Sequence, residues 1–205
     1  MPRLPTVVAA PEGLVYVAEF VTEEEERALV SVFDGLEFDE VRMRGQAAKR
    51  TVVHFGYRYD YEAWRLTPVD PLPPSLTDLR DRAGALVDVD PELFAETLVT
   101  RYPPGAGIGW HRDAPLFGPK VVGVSLLAPC SMRFQRRSAT VRATHAIDLA
   151  PRSAYALTGA ARWSWQHSIP STGRLRYSVT FRTLARSAPG GSPVPGRPAE
   201  GLIEG

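Results

Sequence analysis

Apolar residues recur at helical spacing in only two stretches of the chain; elsewhere they alternate with polar ones in short runs. Thr22 precedes four glutamates, Glu23 to Glu26, and then Ala28, Leu29, Val32 and Phe33. Glu25 stands at the capping-box position and acids fill the first turn, so a helix is predicted to run to Gly35. Leu76, Leu79, Ala83 and Leu86 keep the same spacing, predicting a second helix over about Leu76 to Leu86 with Ser75 as its cap. Between the two, Phe38 to Met43 and Thr51 to Tyr59 read as strands joined by the polar segment RGQAAKR. Pro68, Pro71, Pro73 and Pro74 then impose an extended connection.

After residue 95 short β-type runs follow one another: ETLVTRY, VVGVSLL, CSMRFQ, TVRATHAIDL, SAYALTG, RWSWQH and LRYSVTFRTL. Pro, Gly and Ser separate them. Such closely spaced short strands predict an antiparallel sandwich or barrel of jelly-roll type, so the fold class is mainly β (α+β), with helices near the N-terminus. One domain is expected over residues 1–186. Residues 187–205, rich in Pro and Gly and without periodicity, read as a disordered tail.

Composition narrows the class. At 205 residues, 44% hydrophobic and 23% charged, the chain is an ordinary globular one that needs no disulfide or metal merely to fold. Cys130 is the only cysteine, which excludes a disulfide scaffold and a thiolate zinc finger and suits a reducing compartment. The first residues carry no apolar run of signal-sequence length, and no stretch approaches a spanning helix, so a cytoplasmic protein without a membrane partner is expected. The net charge of +1 hides an asymmetry: residues 1–100 hold 10 basic and 19 acidic side chains, residues 101–205 hold 14 and 4. The basic half suits a polyanion; 22 of the 24 basic residues are Arg, a bias that genome composition would also produce.

The chain has four histidines, His54, His111, His145 and His167. His111 and Asp113 form a His-x-Asp step, which on extended backbone puts both side chains on one face. His167 follows after 53 intervening residues, and in a jelly roll strands so separated become neighbours. Two imidazoles and one carboxylate make the facial triad of Fe(II) oxygen chemistry, whereas zinc more often takes a closed tetrahedral site. His145 has no such partner and reads as a surface or core histidine.

Arg176 and Arg182 lie in RYSVTFR, where positions 176, 178, 180 and 182 share a face. An inward arginine is costly unless it meets an anion, and a guanidinium suits a carboxylate bidentately. A dicarboxylate co-substrate is thereby predicted, with Tyr102 placed to add a hydroxyl hydrogen bond.

In their order and spacing, RYPPGAGIGWHRD, VVGVSLL, AYALTGAARWSWQHSIP and RYSVTFR resemble the AlkB family of Fe(II)- and 2-oxoglutarate-dependent dioxygenases. The resemblance is close over residues 95–184 and looser from Gly13 to Phe55. It implies a double-stranded β-helix with His111, Asp113 and His167 as iron ligands. It also implies 2-oxoglutarate held by Arg176, Tyr102 and Thr180, with Arg182 near the end of the co-substrate closest to the metal, and O2 as oxidant. Succinate and CO2 are the implied products, with formaldehyde when the oxidised carbon is an N-methyl group.

The chain departs from the family pattern on the substrate side. Ala114 and Pro115 follow the metal Asp where repair enzymes often carry an acid, and Thr100 and Ser178 replace frequent asparagines. The stretch PRSAYALTGAARWSWQHSI looks at least as much like the tRNA-oxidising and protein-acting branches. A nucleic-acid substrate, DNA or RNA, is favoured by Arg42, Arg44, Lys49, Arg50 and Arg58 interleaved with His54, Phe55 and Tyr57. These are phosphate contacts and stacking faces suited to a flipped or single-stranded base. Arg50, His54, Tyr57, Arg112 and Trp165 are the candidate substrate contacts. The same aromatics would also fit a buried strand face, and Trp163 and Trp165 alternate in register with His167 whether they line a pocket or fill a core. The alternative substrate classes are a tRNA modification, a protein or a small molecule. A monomer is expected.

Overall fold

In a computed structural model the described residues are 6–43, 46–60 and 65–185. Arg44 and the expected tail at 187–205 lie outside them, as does the side chain of Arg42. The first helix, α1, spans Glu23–Asp34, and its capping box is complete: Thr22 Oγ1 accepts from Glu25 N–H, and Glu25 Oε2 accepts from Thr22 N–H at 2.7 Å. The second, α2, spans Thr77–Val87. Ser75 does not cap it, because Pro73 and Pro74 favour a 3-10 turn over Pro74–Leu76 that feeds the helix directly.

Two sheets carry the rest. The larger has the order β2 (Leu14–Val17), β11 (Ser153–Leu157), β8 (Phe117–Leu126), β13 (Arg176–Leu184), β6 (Phe94–Tyr102), β4 (Gln46–Asp60), β3 (Asp39–Met43), with β5 (Arg65–Pro68) pairing β4. The smaller has the order β1 (Thr6–Val8), β10 (Arg142–Leu149), β9 (Cys130–Arg137), β12 (Gln166–Ile169), β7 (Ile108–His111). Many neighbours are distant in sequence, among them β2 with β11, β8 with β13 and β7 with β12, as a jelly roll requires. β4 begins five residues earlier than the polar RGQAAKR segment suggested, because pairing with β3 extends the strand through Ala47.

The helices cover one face of the larger sheet. Leu29, Phe33, Leu76, Leu79 and Ala83 pack there against Phe55, Val99, Val179 and Phe181. Because Tyr177, Val179 and Phe181 of β13 face the helices, Arg176, Ser178, Thr180 and Arg182 face into the space between the sheets. A second core fills part of that space, with Met132, Phe134 and Leu149 of the smaller sheet against Val121, Tyr155 and Leu157 of the larger. The polar row on β13 marks where apolar filling stops and the candidate site begins.

Two glycines shape that region. Gly56 has φ +79°, and a Cβ there would strike the Ala95 carbonyl. The irregularity reverses the sides of β4: Phe55 faces the helices, whereas Tyr59 packs with Ala114 and Phe117 beside the loop that carries Asp113. Gly123 of β8 lies under the Tyr155 ring, which takes the space a Cβ would need.

Candidate active site

The two histidines meet across a strand pair. His167 of β12 stands directly opposite His111 of β7, and their rings lie 4.2 Å apart at 61°. His111 Nδ1 is 2.9 Å from the Gly109 carbonyl, which only accepts, so Nδ1–H donates and Nε2 keeps its lone pair. Fixing the tautomer in this way is how metal-binding imidazoles are oriented. Asp113 is two residues beyond His111, in the loop after β7 rather than on the strand. Its Oδ1 accepts from Arg182 Nε at 2.7 Å, and Oδ2 lies 4.0 Å from His167 Nε2. His145 stays outside the set: on β9, Phe134 pairs with His145 on one side and His167 on the other.

The electrostatics keep these donors in their ligating forms. Burial, and then the neighbouring His111, hold His167 down at about 3, so its ring is neutral near pH 7. Burial likewise lowers His111, outweighing the pull of Asp113. For Asp113 burial alone would raise the carboxyl, yet Arg182, with help from both histidines, holds it well below the usual carboxylate range. Two neutral imidazoles and an ionised carboxylate with a lone pair to spare suit a divalent cation. Among the described residues no three His, Cys, Asp or Glu side chains already stand close enough together to enclose a metal ion.

Arg176 supplies the second feature. Its side chain is fully buried, its guanidinium carbon lies 5.0 Å from the centre of the Tyr102 ring, and Nε donates to Ser125 Oγ at 3.1 Å. Both terminal nitrogens are buried with no hydrogen-bond partner among the described residues. An orphaned buried guanidinium of this kind calls for a carboxylate. Tyr102 stands opposite Arg176 on β6 and Thr180 shares its row on β13. Tyr155, which the sequence did not single out, is buried nearby; burial and then the Asp113 charge push its phenol well above the ordinary range. Gly123, between Val122 and Val124 on β8, was the one signal for it.

Arg182 is tied at both ends. While Nε holds Asp113, Nη1 donates to Glu96 Oε2 at 2.6 Å, and Glu96 Oε1 accepts from His54 Nδ1 at 2.9 Å. Glu96 is buried and was not foreseen, since one acid at the start of ETLVTRY looks like an ordinary strand-end residue.

Arg162 was also missed. From α3 (Gly159–Trp163) its buried guanidinium donates to the carbonyls of Gly118, Asp113, Ala114 and Phe117 at 2.8–3.3 Å. The loop carrying Asp113 is thereby pinned to the segment that leads into His167. Arg162→Leu is expected to lower stability by about 3 kcal/mol or more, because four buried carbonyls lose a charged donor. Urea denaturation with a reduced midpoint checks this.

The candidate substrate contacts divide. Arg50 and His54 both lie on β4, and the Arg50 charge is close enough to lower His111 further. Tyr57 is half-buried beyond the Gly56 irregularity. Arg112 is exposed and donates to the Trp163 carbonyl at 3.3 Å. Trp165 is corrected: it is 2% exposed, inside the core between the sheets, with Arg136 over its ring. The expected alternation fails because RWSWQH is not one strand; α3 ends at Trp163, which is 42% exposed and stacked on Arg162. Cys130 is buried as expected. No helix is long and apolar enough to cross a membrane among the described residues.

Residues 13–182 match the family model described as the 2OG-Fe(II) oxygenase superfamily. The chain is 31% identical over 170 residues to the tRNA (carboxymethyluridine(34)-5-O)-methyltransferase ALKBH8 of Macaca fascicularis, covering 78% of this chain and 24% of that protein. It is 28% identical over 181 residues to the alkylated DNA repair protein ALKBH8 homolog of Arabidopsis thaliana, covering 77% and 51%. The chain thus spans about a quarter to a half of the length of these relatives. Among solved structures it superposes on OsALKBH1 with a TM-score of 0.65 at 14% identity, over 85% of this chain and 98% of that one. On a prolyl-4-hydroxylase of Pseudomonas putida the TM-score is 0.59 at 16% identity, over 84% and 92%. At such identities these two show the jelly-roll fold.

Proposed function

The chain belongs to the 2OG-Fe(II) oxygenase superfamily, as an AlkB-like 2-oxoglutarate-dependent dioxygenase, and from that premise we propose that it dealkylates bases in DNA or RNA oxidatively. His111, Asp113 and His167 would hold Fe(II), and Arg176 with Tyr102 and Thr180 would hold the distal carboxylate of 2-oxoglutarate. The observation that carries this reading is the pair of buried, partnerless nitrogens on Arg176, on the same inner face of β13 as Arg182, which grips Asp113.

When bound, the metal supplies O2 activation coupled to decarboxylation of 2-oxoglutarate, giving succinate and CO2 and oxidising a substrate C–H bond. The residues of the chain do the positioning. Arg182 occupies Oδ1 of Asp113, so that Oδ2 is the oxygen left to ligate. The Gly109 carbonyl holds His111 by Nδ1 and leaves Nε2 for the metal. Arg176, stacked on Tyr102 and braced by Ser125, is oriented before any anion arrives, and burial strengthens its pairing with a carboxylate.

A nucleic-acid substrate is supported by Arg50, whose charge reaches His111, by exposed Arg112 and Trp163, and by relatives whose names refer to tRNA and to DNA repair. These offer charge for phosphates and a ring for stacking. The test is release of formaldehyde and succinate over N-methylated oligonucleotides, single- and double-stranded, DNA and RNA. Equal formaldehyde and succinate on at least one of them is the expected result. Succinate with no substrate-dependent formaldehyde across the panel would overturn dealkylation and favour hydroxylation of a tRNA modification, a protein or a small molecule.

A further inference from the structure

Glu96 joins the two sides of the site. Its carboxylate accepts from Arg182, which grips Asp113, and from His54, which lies on β4 four residues after the candidate contact Arg50. The Glu96 side chain is 1% exposed, that of His54 16%. A carboxylate held by an arginine on one oxygen accepts on the other too, so the proton of a neutral His54 sits on Nδ1 and the lone pair on Nε2. The hydrogen bond to Glu96 is made through Nδ1, and the ring is 16% exposed. Beyond Asp113, where an acidic side chain would offer an acceptor, the chain has Ala114 and Pro115.

We propose that Glu96 is a positioning residue that fixes His54 as a hydrogen-bond acceptor, and that His54 Nε2 reads the exocyclic amino group of an alkylated adenine or cytosine. The inference rests on the dealkylase reading and deepens it. Adenine and cytosine present an amino donor on the edge that a flipped base offers, whereas thymine presents a carbonyl, which would set lone pair against lone pair at Nε2. A mismatch of that kind costs about tenfold or more in kcat/KM.

Glu96→Gln tests it with little change of shape. The Gln carbonyl must face Arg182, which only donates, so the amide NH2 faces His54 Nδ1. Nδ1 then becomes an acceptor and the proton moves to Nε2, turning the reading atom from acceptor to donor. Imidazole nitrogen-15 shifts, followed with rising pH until they no longer change, report the tautomer of the neutral ring in the full chain without metal or substrate. His54 is expected to carry its proton on Nδ1 in the wild type and on Nε2 in Glu96→Gln. The preference for N-methyladenine over N-methylthymine in single-stranded oligonucleotides is expected to fall by about tenfold or more. His54→Phe, which keeps a ring without an acceptor, is expected to lose the same preference.

A wild-type proton on Nε2 overturns the proposal without any variant, as does a preference that survives both substitutions. If neither methylated base is turned over, the dealkylase reading falls and the base-reading role with it. An inverted tautomer in Glu96→Gln would then show that the Glu96–His54 geometry was not the point of failure.

Discussion

Replacing Arg176 with methionine is expected to weaken 2-oxoglutarate binding by about 100- to 1,000-fold while leaving the melting temperature unchanged or raised. The two halves of this result have one cause. In the fold the Arg176 guanidinium is fully buried, and among the described residues it is hydrogen-bonded only through Nε to Ser125, with no partner for its terminal nitrogens. A buried charge so placed is a burden on the free protein, and an apolar side chain of similar volume removes it at little cost. In the complex the same nitrogens would form a bidentate, charge-assisted pair with the distal carboxylate, contributing about 3–4 kcal/mol. Calorimetric titration of 2-oxoglutarate beside a thermal melt checks both. A large drop in melting temperature with unchanged affinity would make Arg176 a packing residue and place the anchor elsewhere.

The second large effect is expected at Asp113. Asp113→Asn keeps the shape but leaves one acceptor oxygen where two are in use. Arg182 Nε, 2.7 Å from Oδ1, claims that oxygen, and the amide NH2 then faces His167. A donor stands where a cation needs a lone pair, so Fe(II) affinity is expected to fall beyond the 10- to 100-fold typical of an outer-shell change. Because Arg182 keeps its bond to Glu96, the variant is expected to fold. Equilibrium dialysis with Fe(II) under anaerobic conditions gives the affinity, and a value within a few-fold of wild type would remove Asp113 from the ligand set.

The parts of the site that a local pattern dictates were legible in the sequence. Period-two alternation in RYSVTFR put Arg176 and Arg182 on one inward row, and the pairing of β13 with β6 and β8 has them there. Scarcity of histidine made His111 and His167 stand out, and the jelly roll brings them opposite one another. The Thr22–Glu25 capping box needed only four adjacent residues.

What stayed illegible depends on long-range contact or on a break in period. Glu96 gains its meaning from His54 and Arg182, 42 and 86 residues away in sequence. Arg162 sits in a five-residue helix too short to show a period, and its four acceptors are backbone carbonyls, which leave no trace in residue type. The same helix threw Trp163 and Trp165 out of register, sending one to the surface and the other to the core. At Gly56 a positive φ reversed the sides of β4 midway, which no alternation rule reports.

The charge asymmetry of the chain also reads differently with the fold in hand. Of the 14 basic residues in its second half, Arg162 and Arg182 point inward to carbonyls and to two carboxylates, and Arg176 is buried with its terminal nitrogens unpartnered among the described residues. These three are turned inward and do not count toward a phosphate-binding face. Arg112, Arg133, Arg136 and Arg137 remain exposed, and binding that uses them is expected to weaken steeply as salt rises.

The most direct measurement is an anaerobic titration of the whole chain with Fe(II) and 2-oxoglutarate, followed by visible absorption. A weak charge-transfer band is expected that appears only when both are present, saturates at one of each per chain, and is absent from Asp113→Asn. No band in the wild type, or an unchanged band in the variant, would contradict it.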